Sequence, residues 1–182
     1  MRSRPWLSVA ALLAVCSSAH AQTVSGPEPG KKLAPLRVFA ATGPNEAKEL
    51  DYVAARGDKA TVYVLVREFD RPAARFLKAL DGAVREESAQ AEVVAAWLTD
   101  DRDAMKTHLP RIQQSIKLES TSLAVSLSDK AGPDNWDVNP EARLTVVVAR
   151  GGTVKARFGF VSLNETNVPP VREALKNALK DQ

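Results

Sequence analysis

Arg67, Glu68, Asp70 and Arg71 set two cations and two carboxylates within five residues, directly after the apolar run Thr61-Val62-Tyr63-Val64-Leu65-Val66. Charge at that density could bind an anion or grip the backbone of a partner. The simpler reading is a solvated loop in which Asp70 caps the helix that Pro72-Ala73 opens. Phe69 in this loop and Trp136 in a later one add aromatic surface. Arg67, Glu68, Phe69, Asp70, Arg71 and Trp136 are therefore the candidate partner-binding residues.

Other chemistry has less support. Asp100, Asp101 and Asp103 resemble hard-cation ligands, but they lack the Gly and distal Glu of a calcium loop, and acidic residues are ordinary at a helix start. His108 stands alone beside an apolar helix face, and no serine lies in an elbow motif, so a catalytic triad is not expected. No catalytic residue, metal site or cofactor is assigned.

The single cysteine, Cys16, falls in a segment with the three parts of an export signal. Arg2 and Arg4 give it a positive start, Leu7 to Val15 an apolar stretch, and Ala19-His20-Ala21 a cleavage site before Gln22. A membrane span needs about 20 apolar residues, so this stretch is too short to anchor the chain. Leu13-Ala14-Val15-Cys16 also resembles a lipoprotein box, but Val15 fits poorly before the cysteine and the site at Ala21 fits better. The expected product begins at Gln22, is exported to the periplasm or the cell exterior, and carries no thiol.

Removing Arg2 and Arg4 leaves 23 basic against 22 acidic residues, so the basic balance of the full chain belongs mostly to the signal. Lys31-Lys32 is the only adjacent basic pair, and nucleic-acid binding is not expected. An exported chain without disulfides must hold itself together by core packing alone.

Elements that could position the charged loop follow from periodicity. Residues 22–35, with Gly26-Pro27-Glu28-Pro29-Gly30, predict an extended, loosely held lead, and the ordered domain is expected over 36–182. Leu36-Arg37-Val38-Phe39-Ala40 predicts a short strand, with Lys48 to Val53 as its return. The run at 61–66 predicts a strand covered on both faces. Ala73, Phe76, Leu77, Leu80 and Val84 predict a helix to Glu87. Glu92 to Leu98 predicts a second buried strand. A helix with Met105, Leu109, Ile112 and Ile116 inward follows, kinked or split at Pro110. Leu123, Val125 and Leu127 predict a strand, and Lys130 to Pro140 a loop. Leu144 to Val148 and Val154 to Phe160 predict a hairpin around Arg150-Gly151-Gly152, and Pro169-Pro170 opens a last helix. The order predicts an α/β domain with a mixed central sheet and helices on both faces.

Three stretches resemble the thioredoxin-like superfamily, in its peroxiredoxin-like or thiol-specific-antioxidant (redoxin) branch. Lys48-Glu49-Leu50-Asp51-Tyr52 with Gly57-Asp58-Lys59 and the strand at 62–66 is similar to the redoxin entry. Phe69-Asp70-Arg71-Pro72-Ala73 falls where the family carries its active-site loop. Trp136-Asp137-Val138, ahead of the strand at 144–148 and the Gly151-Gly152 turn, is similar to its late strand and hairpin. The resemblance implies a three-layer thioredoxin-like sandwich.

Under that resemblance the paired cysteines of thioredoxins would fall among Asp70, Arg71, Pro72 and Ala73, and the peroxidatic cysteine near Arg71 or Pro72; none is a thiol. Arg143 takes the place of the family's cis-proline, with Pro140 nearby. The expectation is a redox-inactive binding or scaffold module for an unknown protein partner. The alternative is a redoxin-class enzyme that uses a partner's thiol or an unseen cofactor.

Overall fold

In the strand Thr61–Val66 the side chains of Val62, Val64 and Val66 face one side of a sheet, and those of Tyr63 and Leu65 face the other. All are buried, which explains the absence of polar alternation in the sequence. The computed structural model describes residues 22–180. The expected signal, with Cys16, lies outside the described residues.

In chain order the elements are β1 (Gln22–Thr23), β2 (Arg37–Ala40), β3 (Glu49–Asp51), α1 (Tyr52–Arg56), β4 (Thr61–Val66), α2 (Arg71–Glu87), β5 (Glu92–Trp97), α3 (Arg102–Ile116), β6 (Thr121–Ser126), β7 (Leu144–Arg150), β8 (Thr153–Phe160) and α4 (Val168–Lys180). A 3-10 turn at Glu165–Asn167 precedes α4. The strands form one mixed sheet in the order β1-β8-β7-β4-β5-β6-β2-β3. β4, β5 and β6 run parallel, and the remaining pairings are antiparallel.

The two crossovers, β4-α2-β5 and β5-α3-β6, step across the sheet in the same direction. Crossovers of one hand must then place α2 and α3 on the same face. That face is filled by Phe76, Leu77 and Leu80 of α2, Leu109 of α3, and Val171 and Leu175 of α4. The opposite face is covered by Tyr52 of α1, by Leu36 and by Trp136. Helices thus lie on both sides of the sheet, three on one and the short α1 on the other. Gly151 and Gly152, with φ of 57° and 65°, turn β7 into β8 in the left-handed region that glycine adopts without strain.

Four details depart from expectation. The lead at 22–35 is extended but not loose. Thr23 pairs with Gly159, Gly30 N donates to Val154 O at 2.8 Å, and Leu33 N donates to Gly152 O at 2.7 Å. Ser25 is buried with its hydroxyl 2.6 Å from that of Thr145. Gly26 has a φ of 99° and crosses β7 so closely that a Cβ there would lie 3.0 Å from Val147 Cγ2, so this glycine holds a fixed conformation rather than supplying flexibility.

Trp136 is the second departure. It lies in a loop, but its side chain is 0% exposed, packs edge-on against Tyr63 at 5.6 Å, and donates Nε1–H to Ala34 O at 3.1 Å. With no long helix on that face of the sheet, the loop itself must supply the core. Third, Pro110 does not split α3, which is continuous; its inner face is as expected, with Leu109 fully buried and Met105, Ile112 and Ile116 partly buried against the core. Fourth, the return strand after Pro44 ends at Asp51, whose carboxylate caps α1 through Val53 N at 3.0 Å.

Asp81 of α2, not singled out in the sequence, is fully buried. Its carboxylate accepts from Glu119 N, Ser120 N and the Thr121 hydroxyl, tying α2 to the start of β6. Three donors satisfy the charge and make the contact a structural anchor.

Candidate functional site

The loop between β4 and α2 lies at the carboxyl end of the central strand, where open α/β sheets place their functional groups. Five of the six candidate residues come together there. Asp70 is the N-cap of α2; its Oδ1 accepts from Ala73 N at 3.0 Å, and Pro72 follows in the first turn, where its missing N–H costs nothing. Arg71 is the first helical residue and is exposed. Phe69 is half-buried, with its ring 5.2 Å from that of Trp97 at the end of β5, and so anchors the loop to the core. Trp136 belongs to the opposite face of the sheet and takes no part in this surface.

Arg143, immediately before β7, organises the loop. The antiparallel register of β4 with β7 brings it beside Arg67, whose N–H donates to Arg143 O at 2.9 Å. Its guanidinium then spans both carboxylates of the loop: Nη2 is 2.5 Å from Asp70 Oδ2, and Nε is 2.8 Å from Glu68 Oε2. The hydrogen bond from Arg143, with that from Ala73 N, holds the Asp70 carboxyl below the usual carboxylate range, and Asp70 in turn raises the pKa of Arg143.

Arg67 reaches the other way. Its Nη1 donates to Lys130 O at 2.9 Å, which fastens the loop after β6 to the same rim. Its buried Nε has no hydrogen-bond partner among the described residues.

The acidic trio is spread along the start of α3. Asp101 caps it through Ala104 N at 3.2 Å, Asp103 pairs with Lys106 at 3.1 Å, and Asp100 is exposed. His108 is exposed on the same helix. Among the described residues no cluster of three or more His, Cys, Asp or Glu converges on a point. Sequence reasoning placed Arg143 before the late strand but did not assign it to the charged loop. The usable signal was that position, which an antiparallel neighbour of β4 brings opposite Arg67.

A mixed sheet with a central strand leading into a capped helix, and a late hairpin closing on a terminal helix, defines a thioredoxin-like α/β fold. Solved structures agree with that class. The chain superposes on a peroxiredoxin-like protein from Aquifex aeolicus with a TM-score of 0.58 at 11% identity, covering 87% of this chain and 92% of that one. A putative thiol:disulfide interchange protein DsbE from Chlorobium tepidum gives 0.60 at 16% identity, over 84% and 99% of the two chains. A thiol peroxidase from Chromobacterium violaceum gives 0.60 at 10% identity, over 91% and 96%. At such identities the likeness is one of fold. No family model matches the sequence, and no curated protein matches it.

Proposed function

We propose that this chain is an exported thioredoxin-like domain that binds a protein partner and carries out no thiol chemistry of its own. The observation that carries the reading is the Arg143–Asp70 ion pair at the N-terminus of α2. In a thiol-dependent protein of this fold, a helix N-terminus is useful because it favours a thiolate. Here a carboxylate occupies the cap, an arginine neutralises it, and residues 22–182 contain no cysteine. The rim at Arg67, Glu68, Phe69, Asp70 and Arg71 is then a fixed surface suited to contact rather than turnover.

Export rests on Arg2, Arg4, the apolar stretch from Leu7 to Val15 and the Ala19-His20-Ala21 site, with Gln22 as the first mature residue. Among the described residues no helix is long and apolar enough to cross a membrane.

Two measurements test the proposal. Protein beginning at Gln22 is assayed for reduction of hydrogen peroxide and of an insulin disulfide with dithiothreitol as electron donor; the expected rate equals the protein-free blank. A photo-crosslinking residue placed at Phe69 should capture one defined partner in the native compartment, and the same residue at exposed Asp100 should not. Turnover above the blank, or identical capture from both positions, would sink the reading.

A further inference from the structure

The partner's chemistry can be narrowed from the charge along α2, an argument that rests on the binding-module reading above. Arg71, Arg75 and Lys78 fall at i, i+4 and i+7, so they share one helix face. With Ala74 and Ile116 they line a groove of about 370 Å³ between α2 and the end of α3. The floor is apolar and the wall is cationic.

These charges are only weakly compensated by carboxylates around them. The two nearby carboxylates of the loop, Glu68 and Asp70, are both taken by Arg143. Arg71 has no carboxylate partner among the described residues, and Lys78 donates to the backbone carbonyl of Lys117. Arg75 meets only Glu165, at 3.8 Å between exposed side chains, a contact of little energy. The groove between α2 and α4, which shares Lys78, is more tightly paired: Arg172 meets Glu86 and Glu87, and Lys176 meets Glu87. On this wall, beside the candidate site, no cation is held by a close carboxylate contact among the described residues, and all three side chains are exposed.

We propose that the Arg71, Arg75 and Lys78 wall, with its Ala74 and Ile116 floor, docks an extended acidic segment of a protein partner. Residues i and i+4 of a helix are separated by about 6 Å along its axis, and alternate residues of an extended chain by about 6.6 Å. Acidic side chains at every second position therefore meet Arg71 and Arg75 in turn, and an apolar residue between them can lie toward Ala74 and Ile116. A membrane surface is disfavoured because three cations beside a recess make no broad basic face.

The test uses a fluorescein-labelled Glu-Leu-Glu-Leu-Glu peptide titrated with protein beginning at Gln22 and followed by anisotropy. Saturable binding that weakens from 0.05 to 0.5 M salt is expected, with a loss of about tenfold or more in the R71A/R75A/K78A variant. All three side chains are exposed, and an unchanged melting midpoint and circular dichroism spectrum verify the variant's fold.

The proposal is overturned by absent saturable binding, by equal binding of the Gln-Leu-Gln-Leu-Gln peptide, or by an unaffected triple variant. It also fails if phosphatidylglycerol vesicles bind the protein while the acidic peptide does not. The binding-module reading stands or falls separately, on capture at Phe69 and on the turnover assay.

Discussion

Arg143 Nη2 lies 2.5 Å from Asp70 Oδ2, and this contact joins the residue before β7 to the cap of α2 across 73 positions of sequence. The same guanidinium holds Glu68, so one side chain fixes the charge, the shape and the exit angle of the loop. The ion pair is partly exposed; its value lies more in placing the rim than in stabilising the fold.

Replacing Arg143 with alanine should cost about 1 kcal/mol or less at pH 7. The pH dependence has a definite sign. Asp70 has a folded pKa below its unfolded value of about 3.9, so its contribution is present above that value and fades as pH falls through the folded pKa. Urea denaturation of wild type and R143A should differ at pH 7, and the difference should shrink as acidification protonates Asp70. A gap that widens on acidification would refute the assignment.

Trp136 should behave as a core residue. W136A is expected to lose about 3–5 kcal/mol, as other large-to-small aromatic changes do. W136F keeps most of the packing but leaves Ala34 O without its donor, and should lose about 1–3 kcal/mol. Both values come from denaturant unfolding. A W136A protein within about 1 kcal/mol of wild type would show that the ring is not buried in solution.

Asp81 supports the other end of α2. D81A leaves the buried Thr121 hydroxyl and two part-buried backbone N–H groups without their acceptor, an expected loss of about 1–3 kcal/mol. Hydrogen exchange should report it locally, with the amides of Glu119 and Ser120 losing protection before those of β4.

The lead covers the outer edge of β8. Deleting residues 22–33 removes the pairing at Phe160 and Gly159 and the bridge from Lys32 to Thr153. The uncovered strand should then self-associate, as unprotected sheet edges do. Light scattering coupled to size exclusion should find dimers or larger species in the truncated protein; a stable monomer at millimolar concentration would contradict this.

Most of the sheet was legible because its strands are runs of β-branched residues too apolar to be anything but buried, and α2 showed its face at three- and four-residue steps. Three features were not. The docking of residues 22–35 depends on Ser25 meeting Thr145 and Gly26 crossing Val147, contacts over more than a hundred positions that a Pro/Gly composition does not encode. Trp136 sits among polar loop residues, and its burial follows from the absence of a long helix over Tyr63. The role of Arg143 needs the register of β7 against β4, which no local pattern carries. At the charged loop, the Asp70 cap could be read from Asp-x-Pro-Ala spacing, whereas the partner of that carboxylate could not.

The strap formed by residues 22–35 also sets an order of events. Its docking ground is the β7–β8 hairpin, which a ribosome makes more than a hundred residues later. Until Leu144 to Phe160 has emerged, the earliest part of the domain has nothing to close upon, and contacts so distant in sequence form slowly. The strap is thus a late-closing part of the fold, since both halves of its docking ground lie near the far end of the sequence.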